Sequence, residues 1–205
     1  MNYDTLATKE AIARTIAALA GRGVMAIAVE NRAEALERAK ALIPSGMSVM
    51  NGSSRTLEEI GFVEHLKSGT HGWKNLHEEI LMEKDPAKQT ILRKHAVLSD
   101  YYLGSVHAVA ETGEMMIASN SGSQLPHIVS TSPNLVFIVG AQKIVPDFHV
   151  ALARVRDYVL PLEDQRMKDA GFSGSAISKL VIFEREPAFM GRKVQVIFVN
   201  ERLGF

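Results

Sequence analysis

Met50-Asn51-Gly52-Ser53-Ser54-Arg55-Thr56 is the stretch that decides how the chain folds, because it marks the passage from a strand to a helix. A short apolar run with Met47 and Val49 precedes it, and a helical pattern at 57–61 follows it. A loop of small residues in that position leaves backbone N–H groups free to meet an anion, and the dipole of the following helix adds positive potential. The stretch therefore predicts a strand, an anion-binding loop and a helix in succession.

The side chains of this loop support the same interpretation. Ser53 and Ser54 supply hydroxyl donors, and Arg55 supplies a planar cation suited to a carboxylate or a phosphate. The alternative is a plain strand-to-helix turn in which Ser54 or Thr56 caps the helix. The predicted ligand-binding residues of this loop are Asn51, Gly52, Ser53, Ser54 and Arg55.

Helical and strand-like patterns alternate around the loop. An amphipathic pattern over 5–20 is followed by the continuous apolar run 24–29, which predicts a strand buried on both faces. Asn31 predicts the cap of the next helix. The alternation indicates an α/β protein with a mainly parallel central sheet flanked by helices. Because the sequence shows no linker or repeat, we expect a single domain over residues 1–205.

The second half of the chain adds a hairpin and a second small polar loop. Apolar runs at 106–110 and 115–118 flank a turn with Gly113, which predicts a β-hairpin around 106–118. The loop that follows reads Asn120-Ser121-Gly122-Ser123-Gln124. Three more strands are predicted further along the sequence, at 135–140, 179–183 and 194–199. Two helices are also predicted, one capped by Asp85 and one by Asp147.

One carboxylate lies close in sequence to the second loop. Glu111 ends the first hairpin strand, so the sequence predicts it as a catalytic base or nucleophile beside an anion; the alternative is a structural acceptor for turn N–H groups. Open α/β sheets bind ligands outside the carboxyl ends of their strands, so we expect 51–55, Glu111 and 120–124 to meet at one edge. The predicted ligand-binding residues of the second loop are Asn120, Ser121, Gly122, Ser123 and Gln124.

Composition argues against several classes of function. Lys and Arg number 23 and so do Asp and Glu, so the net charge is zero and no basic stripe serves nucleic acid or an anionic membrane. The chain has no cysteine, so it cannot hold an iron–sulfur cluster through thiolates, and a cytoplasmic location is the simplest expectation. No apolar run is long enough to span a bilayer, and no secretory signal pattern is present.

Metal and nucleotide sites find little support in the sequence. His65, His71 and His77 lie six residues apart, and that spacing does not bring them to one face of a helix, so no metal ligand is predicted. The sequence contains no P-loop, no dinucleotide fingerprint and no G-x-S-x-G nucleophile elbow. We therefore expect no cofactor in this chain.

Three segments together resemble the lactate-utilization (LUD) domain family. They are N-G-S-S-R-T-L-E-E-I-G at 51–61, V-H-A-V-A-E-T-G-E-M-M-I-A-S-N-S-G-S-Q at 106–124 and P-N-L-V-F-I-V-G-A-Q-K-I-V at 133–145. The resemblance covers roughly residues 20–200. It implies a fold similar to that of ribose-5-phosphate isomerases, glucosamine-6-phosphate deaminases and CoA transferases, in which a Gly/Ser/Thr loop binds phosphate or carboxylate.

The resemblance also implies a function. It indicates a role in oxidising L-lactate to pyruvate, or in related carboxylate metabolism, together with an iron–sulfur protein and another subunit. Since this chain lacks cysteine, the redox cofactor is expected on a partner subunit. The ligand is expected to be a small carboxylate or a phosphorylated metabolite. At 173–179 the chain reads S-G-S-A-I-S-K where longer relatives read S-R-T-A-D-I-E, which removes charged groups expected in the pocket.

Two other functions stay open at the level of sequence. One is a self-sufficient sugar-phosphate isomerase or CoA-transferase-like enzyme that uses Glu111 as base or nucleophile. The other is a non-catalytic interaction subunit. The sequence does not decide whether the chain is an enzyme.

Overall fold

A parallel sheet forms the centre of the computed structural model, which describes residues 2–205. Its six strands lie in the order β1-β10-β7-β4-β2-β3, and every neighbouring pair is parallel. A second sheet has the order β8-β5-β6-β9 and is mixed. The strands are β1 Met25–Val29, β2 Ser48–Asn51, β3 Lys74–Asn75, β4 Tyr101–Gly104, β5 Ala108–Ala110, β6 Met115–Ser119, β7 Asn134–Gly140, β8 Ile144–Val145, β9 Lys179–Phe183 and β10 Lys193–Val199.

Helices flank both sheets, which confirms the predicted α/β class. They are α1 Lys9–Ala20, α2 Arg32–Ala41, α3 Arg55–Glu59, α4 Phe62–Lys67, α5 Leu76–Met82, α6 Pro86–His95, α7 Phe148–Arg154 and α8 Leu160–Asp169. The predicted caps form: the Asn31 side chain accepts from the Glu34 N–H at 3.0 Å, and that of Asp147 from the Val150 N–H at 2.9 Å. Each cap satisfies an N–H that the first helical turn leaves without a partner.

The core is divided by the central sheet, whose middle strand β7 is buried on both faces. Phe137 and Val139 pack toward the second sheet, against residues such as Met115. Val136 and Ile138 pack on the opposite face, under the layer that contains α2, α3 and α4. The alternation follows from the pleat of a strand, in which successive side chains point to opposite faces.

The first strand differs from its prediction. A strand is found at Met25–Val29 as expected, but the prediction that it is buried on both faces was wrong: the exposed fractions of Met25 and Ile27 are 52% and 45%. The reason is its place in the sheet, because β1 is an edge strand that pairs only with β10 among the described residues. An apolar run does not reveal whether helices cover both of its faces.

The hairpin is confirmed, and it belongs to the second sheet. Strands β5 and β6 pair antiparallel across a turn in which Gly113 has a φ of 100°, a conformation that favours glycine. The two strands predicted in the tail are also present, but they go to different sheets: β9 pairs with β6, whereas β10 lies between β1 and β7. The segment 184–192 therefore ties the two sheets together.

The helix predicted after Asp147 is interrupted. Between α7 and α8 the backbone adopts a π-helical turn at Val155–Val159. Pro161 lies two residues after this turn, and a proline removes a backbone donor from a helix. The widened turn changes the direction in which the side chains of this segment project, and Val155 and Val159 border the cleft described next.

Candidate functional site

A cleft opens where the carboxyl ends of several strands meet. Its volume is about 390 Å³, and it is bordered by the segments that follow β2, β4, β6 and β7. Loops after the carboxyl ends of parallel strands are the usual place for a ligand in an open α/β sheet. The cleft is therefore the candidate functional site, and its residues come from widely separated parts of the sequence.

The first predicted loop forms one wall. Gly52, Ser53, Ser54 and Arg55 border the cleft. The Ser54 hydroxyl also accepts from the Leu57 N–H at 3.4 Å and so caps α3, which means that the helix-cap interpretation holds as well. Asn51 does not border the cleft.

Asn51 instead lies buried beneath the loop. Its side-chain N–H donates to the Gly52 carbonyl at 3.2 Å, and its amide oxygen lies 3.2 Å from Nδ1 of His77. The structure thus places Asn51 as a support for the loop.

Gly52 sits in a space that no side chain could share. A Cβ at this position would lie 2.6 Å from the Tyr102 hydroxyl and 3.2 Å from Oε1 of Gln124. The first distance is shorter than real contacts allow, so glycine is required for the backbone to approach Tyr102. Because Gln124 belongs to the second loop, the same position is where the two predicted loops meet.

The second predicted loop forms the facing wall. Asn120, Ser121, Ser123 and Gln124 border the cleft, so the predicted meeting of the two loops is confirmed. Gly122 does not border it, but its φ of 86° gives the loop its bend and favours glycine.

Hydrogen bonds hold the second loop in place. The Gly122 N–H donates to the Ser119 hydroxyl at 2.9 Å, and the Gln124 side chain donates to the Ala118 carbonyl at 3.1 Å. Ser121 and Ser123 hydroxyls lie 3.1 Å apart and are exposed to the cleft. Both predicted loops thus present hydroxyls, and their role in binding a ligand stays a prediction.

Glu111 lies elsewhere, and the expectation that it joins the two loops was wrong. Its carboxylate lies 2.7 Å from Nη2 of Arg14 and accepts a hydrogen bond from Nε of the same residue at 2.8 Å. Glu111 thus forms an ion pair with Arg14 on helix α1. The physical reason is strand direction: the cleft takes in His107, at the start of β5, whereas Glu111 follows the other end of that strand. Nearness in sequence to the second loop did not translate into nearness in space.

Lys143 is a cleft residue that the sequence interpretation missed. It ends the 3-10 turn Ala141–Lys143 after β7, and only 3% of the residue is exposed. Its Nζ donates to the Thr56 and Ser105 hydroxyls, each at 3.1 Å. Burial lowers the pKa of this amine from 10.5 to about 7, with the nearby Arg154 acting in the same direction. The available signal was a lone lysine inside the otherwise uncharged and mostly apolar run 135–145.

Two further buried groups shape the floor of the cleft. The Nδ1 of His107 accepts from the Ala118 N–H at 3.1 Å, so the neutral ring carries its proton on Nε2. Burial lowers the pKa of His107 to about 3, and the ring is therefore neutral at physiological pH. Burial also raises the pKa of Tyr102, whose hydroxyl lies beside Gly52 and stays protonated.

A third segment closes the cleft from the side. Ser175, Ala176 and Ile177 border it, although the sequence alone identified this stretch only as a departure from relatives. On α8, Arg166 and Glu163 also border it and form an ion pair at 2.6 Å. The side chains at 175–177 are uncharged, so the charges on this side of the cleft are those of the Arg166–Glu163 pair.

His65 and His71 pack beside Trp73, whereas His77 contacts the Asn51 amide oxygen. His71 stacks on Trp73 with ring centroids 4.8 Å apart, and His65 meets the edge of the His71 ring at 5.7 Å. Within residues 2–205, no group of three or more His, Asp or Glu is placed to hold a metal ion. In the same range no helix has the length and apolar character needed to cross a membrane.

Comparison with known proteins gives two matches. A sequence model described as the LUD domain matches residues 12–178. The fold is similar to that of a DUF162 family protein from Deinococcus radiodurans, with a TM-score of 0.56 and 15% sequence identity over 96% of this chain and 100% of that chain. At that identity the likeness concerns the fold. None of the curated proteins matches the sequence.

Proposed function

The chain belongs to the LUD domain family, and from this premise we propose that its cleft binds a small carboxylate metabolite in the oxidation of L-lactate to pyruvate or in related carboxylate metabolism. The family is associated with lactate utilization. The redox cofactor of that reaction resides on a partner subunit, because a chain without cysteine offers no thiolates for an iron–sulfur cluster.

One observation carries the proposal: two hydroxyl-bearing loops, distant in sequence, converge on one cleft that also holds cationic side chains. Ser53 and Ser54 face Ser121 and Ser123 across it. Arg55 and Arg166 supply positive charge, and Lys143 supplies N–H donors. Hydroxyl and charged N–H donors are the groups that bind carboxylates. A volume of about 390 Å³ lies near the lower end for small-molecule pockets, which suits a metabolite of few atoms.

The test is a binding measurement on the purified chain. Isothermal calorimetry with L-lactate, pyruvate, inorganic phosphate and ribose 5-phosphate is expected to show binding of at least one of the two carboxylates. Ser53→Ala combined with Ser123→Ala should weaken that binding, since each lost hydroxyl removes about 1 kcal/mol of hydrogen bonding. Ser130→Ala is the matched control, because Ser130 is exposed and lies outside the cleft.

The outcomes separate the proposal from its alternatives. Binding of the phosphates without either carboxylate would replace the proposed ligand class by phosphorylated metabolites. An absence of binding by all four compounds would contradict the proposal and favour a non-catalytic interaction subunit.

A further inference from the structure

We propose that Lys143 is an amine nucleophile that forms a Schiff base with the carbonyl carbon of a short 2-oxo acid held in the cleft. The inference rests on the proposed binding of carboxylates and goes beyond it, because it assigns covalent chemistry to one atom of this chain. It is carried by the position of Nζ, by the way its hydrogens are bonded and by the charges around it.

Lys143 has the position that such a nucleophile needs. It borders the cleft while only 3% of the residue is exposed, so its amine is held at the floor and does not extend into solvent. A Cβ at Gly204 would lie 3.2 Å from Nζ, so the missing side chain at that position leaves room beside the nitrogen. A ligand bound between the two loops would find this amine beneath it.

The hydroxyls around Nζ leave one position on the nitrogen free. Nζ donates to the Thr56 and Ser105 oxygens, each at 3.1 Å. These hydroxyls direct their own protons elsewhere, to the carbonyls of Leu203 and Val106, each at 3.3 Å. Two N–H groups of a neutral amine are thus engaged as donors, and no hydroxyl proton is bonded to the nitrogen. The fourth tetrahedral position then carries the lone pair that attacks a carbonyl.

The surrounding charges favour the neutral amine. Among residues 2–205, no carboxylate lies within ion-pair distance of Nζ, although a buried lysine ordinarily has such a partner. The charge of Glu59 raises the pKa of Lys143, but this carboxylate is already engaged by Arg55 at 3.5 Å and by the Gly204 N–H at 2.7 Å. The buried guanidinium of Arg154 acts in the other direction, and together with burial it brings the pKa of Lys143 to about 7. A sizeable fraction of the amine is therefore nucleophilic at neutral pH.

The proposed step balances without another reactant. The lone pair of Nζ forms a bond to the carbonyl carbon, and the C=O π electrons move to oxygen, which takes a proton and gives a carbinolamine. The oxygen then leaves as water, and both hydrogens of that water come from the amine over the two steps. A C=N bond between Nζ of Lys143 and the former carbonyl carbon remains. No oxidant or reductant takes part.

The inference is tested by reductive trapping. The full chain is incubated with pyruvate and sodium cyanoborohydride, digested and mapped by mass spectrometry. The expected result is a reduced pyruvate adduct on Lys143. L-lactate under the same conditions should give no adduct because it has no carbonyl group.

Two variants sharpen the test. Lys143→Arg should lose the adduct, whereas Lys168→Arg should keep it, because Lys168 is an exposed lysine engaged by Asp164 at 2.6 Å. Circular dichroism of both variants checks that they fold, and the mapping of the unaltered chain needs neither of them. An adduct spread equally over exposed lysines would overturn the inference.

Calorimetry distinguishes failure of the inference from failure of the proposed function. Pyruvate that binds in the cleft without being trapped would overturn the Schiff base and leave carboxylate binding intact. Failure of both pyruvate and L-lactate to bind would overturn the two proposals together.

Discussion

At the scale of single residues, the buried amine of Lys143 opposes stability. Burial lowers the pKa of Lys143 from 10.5 to about 7 in the folded chain. Between pH 7 and pH 10.5 the folded chain therefore binds fewer protons at this lysine than the unfolded chain does. The free energy of unfolding therefore rises with pH across this window. Residues kept at such a cost are commonly functional.

Lys143→Met should reveal that cost. Methionine has a similar length and no charge to bury, so we expect the variant to be more stable than the natural chain by about 1 kcal/mol at pH 7. The difference should fall as the pH rises and change its sign before about pH 9, since one proton contributes up to about 1.4 kcal/mol per pH unit. Urea unfolding at several pH values measures it. A difference that does not change with pH would show that the Lys143 amine is not neutralised by folding.

Arg55→Ala tests the charged donor of the first loop. We expect pyruvate to bind roughly tenfold more weakly, because a charge-assisted hydrogen bond contributes about 1.5 kcal/mol. Calorimetry measures the change, and Arg156→Ala is the control, since Arg156 is an exposed arginine outside the cleft. Equal affinities for both variants would remove Arg55 from the site.

Glu111→Gln tests the residue that the sequence placed in the site and the structure does not. The substitution keeps the shape and removes the charge that pairs with Arg14, an arginine whose side chain is 62% exposed. We expect unchanged pyruvate binding and a loss of at most about 1 kcal/mol of stability, as for other surface ion pairs. A tenfold loss of pyruvate affinity in calorimetry would restore Glu111 as a functional candidate.

At the scale of elements, local signals in the sequence predicted the caps and the strands with good accuracy. Asn31, Asp85 and Asp147 all cap helices, because side-chain oxygens of Asn and Asp satisfy free N–H groups wherever a helix begins. Strand β4 was not predicted. Its four residues, Tyr101–Gly104, are too few to establish a period, and their burial comes from neighbours in the sheet.

A buried polar network fixes one of the elements that the sequence left unassigned. Nδ1 of His127 lies 3.0 Å from the Ser132 hydroxyl and 3.3 Å from that of Ser99, at the π-helical turn His127–Thr131. Its ring stacks on Tyr102 with centroids 4.6 Å apart. Burial lowers the pKa of His127 to about 4. The network therefore depends on a neutral histidine.

Acid should weaken this element. The unfolded chain binds a proton at His127 below about pH 6.5, whereas the folded chain binds it only near pH 4. The free energy of unfolding therefore falls as the pH drops from 6.5 to 4. His127→Gln keeps a polar side chain without this titration. We expect its urea-unfolding stability to fall less steeply between pH 6.5 and 4, by up to about 1.4 kcal/mol per pH unit. Parallel profiles for the two proteins would contradict the assignment.

At the scale of the whole molecule, the cleft was predictable in part. The two loops could be paired from sequence because each follows a strand, and the carboxyl ends of parallel strands share an edge. Lys143 follows β7 of the same sheet and could have been added by the same rule. The wall at 175–177 could not, because it leads into β9, and only the packing of the second sheet against the first brings it to this edge. Glu111 failed for a related reason: in an antiparallel hairpin, the two ends of a strand face opposite sides of the molecule.

A ligand in the cleft should therefore protect both loops together. With pyruvate at 100 times its dissociation constant, the folded chain should gain about 2.7 kcal/mol. Hydrogen exchange measured by mass spectrometry should slow at 52–56 and at 119–124, while the hairpin turn at 111–114, which lies outside the cleft, serves as the internal reference. Protection confined to one loop would show that the other does not contact the ligand.

The position of β10 has a consequence for how the protein assembles during synthesis. This strand comes late in the sequence, at Lys193–Val199, yet it lies between β1 and β7 in the central sheet. Until the ribosome has made β10, β1 lacks its neighbour in the sheet, and the β10-facing edge of β7 is unpaired. The nascent chain must therefore carry an unpaired edge on β7 from the synthesis of β7 until that of β10, and chaperones that cover exposed strand edges would have their opportunity in this interval.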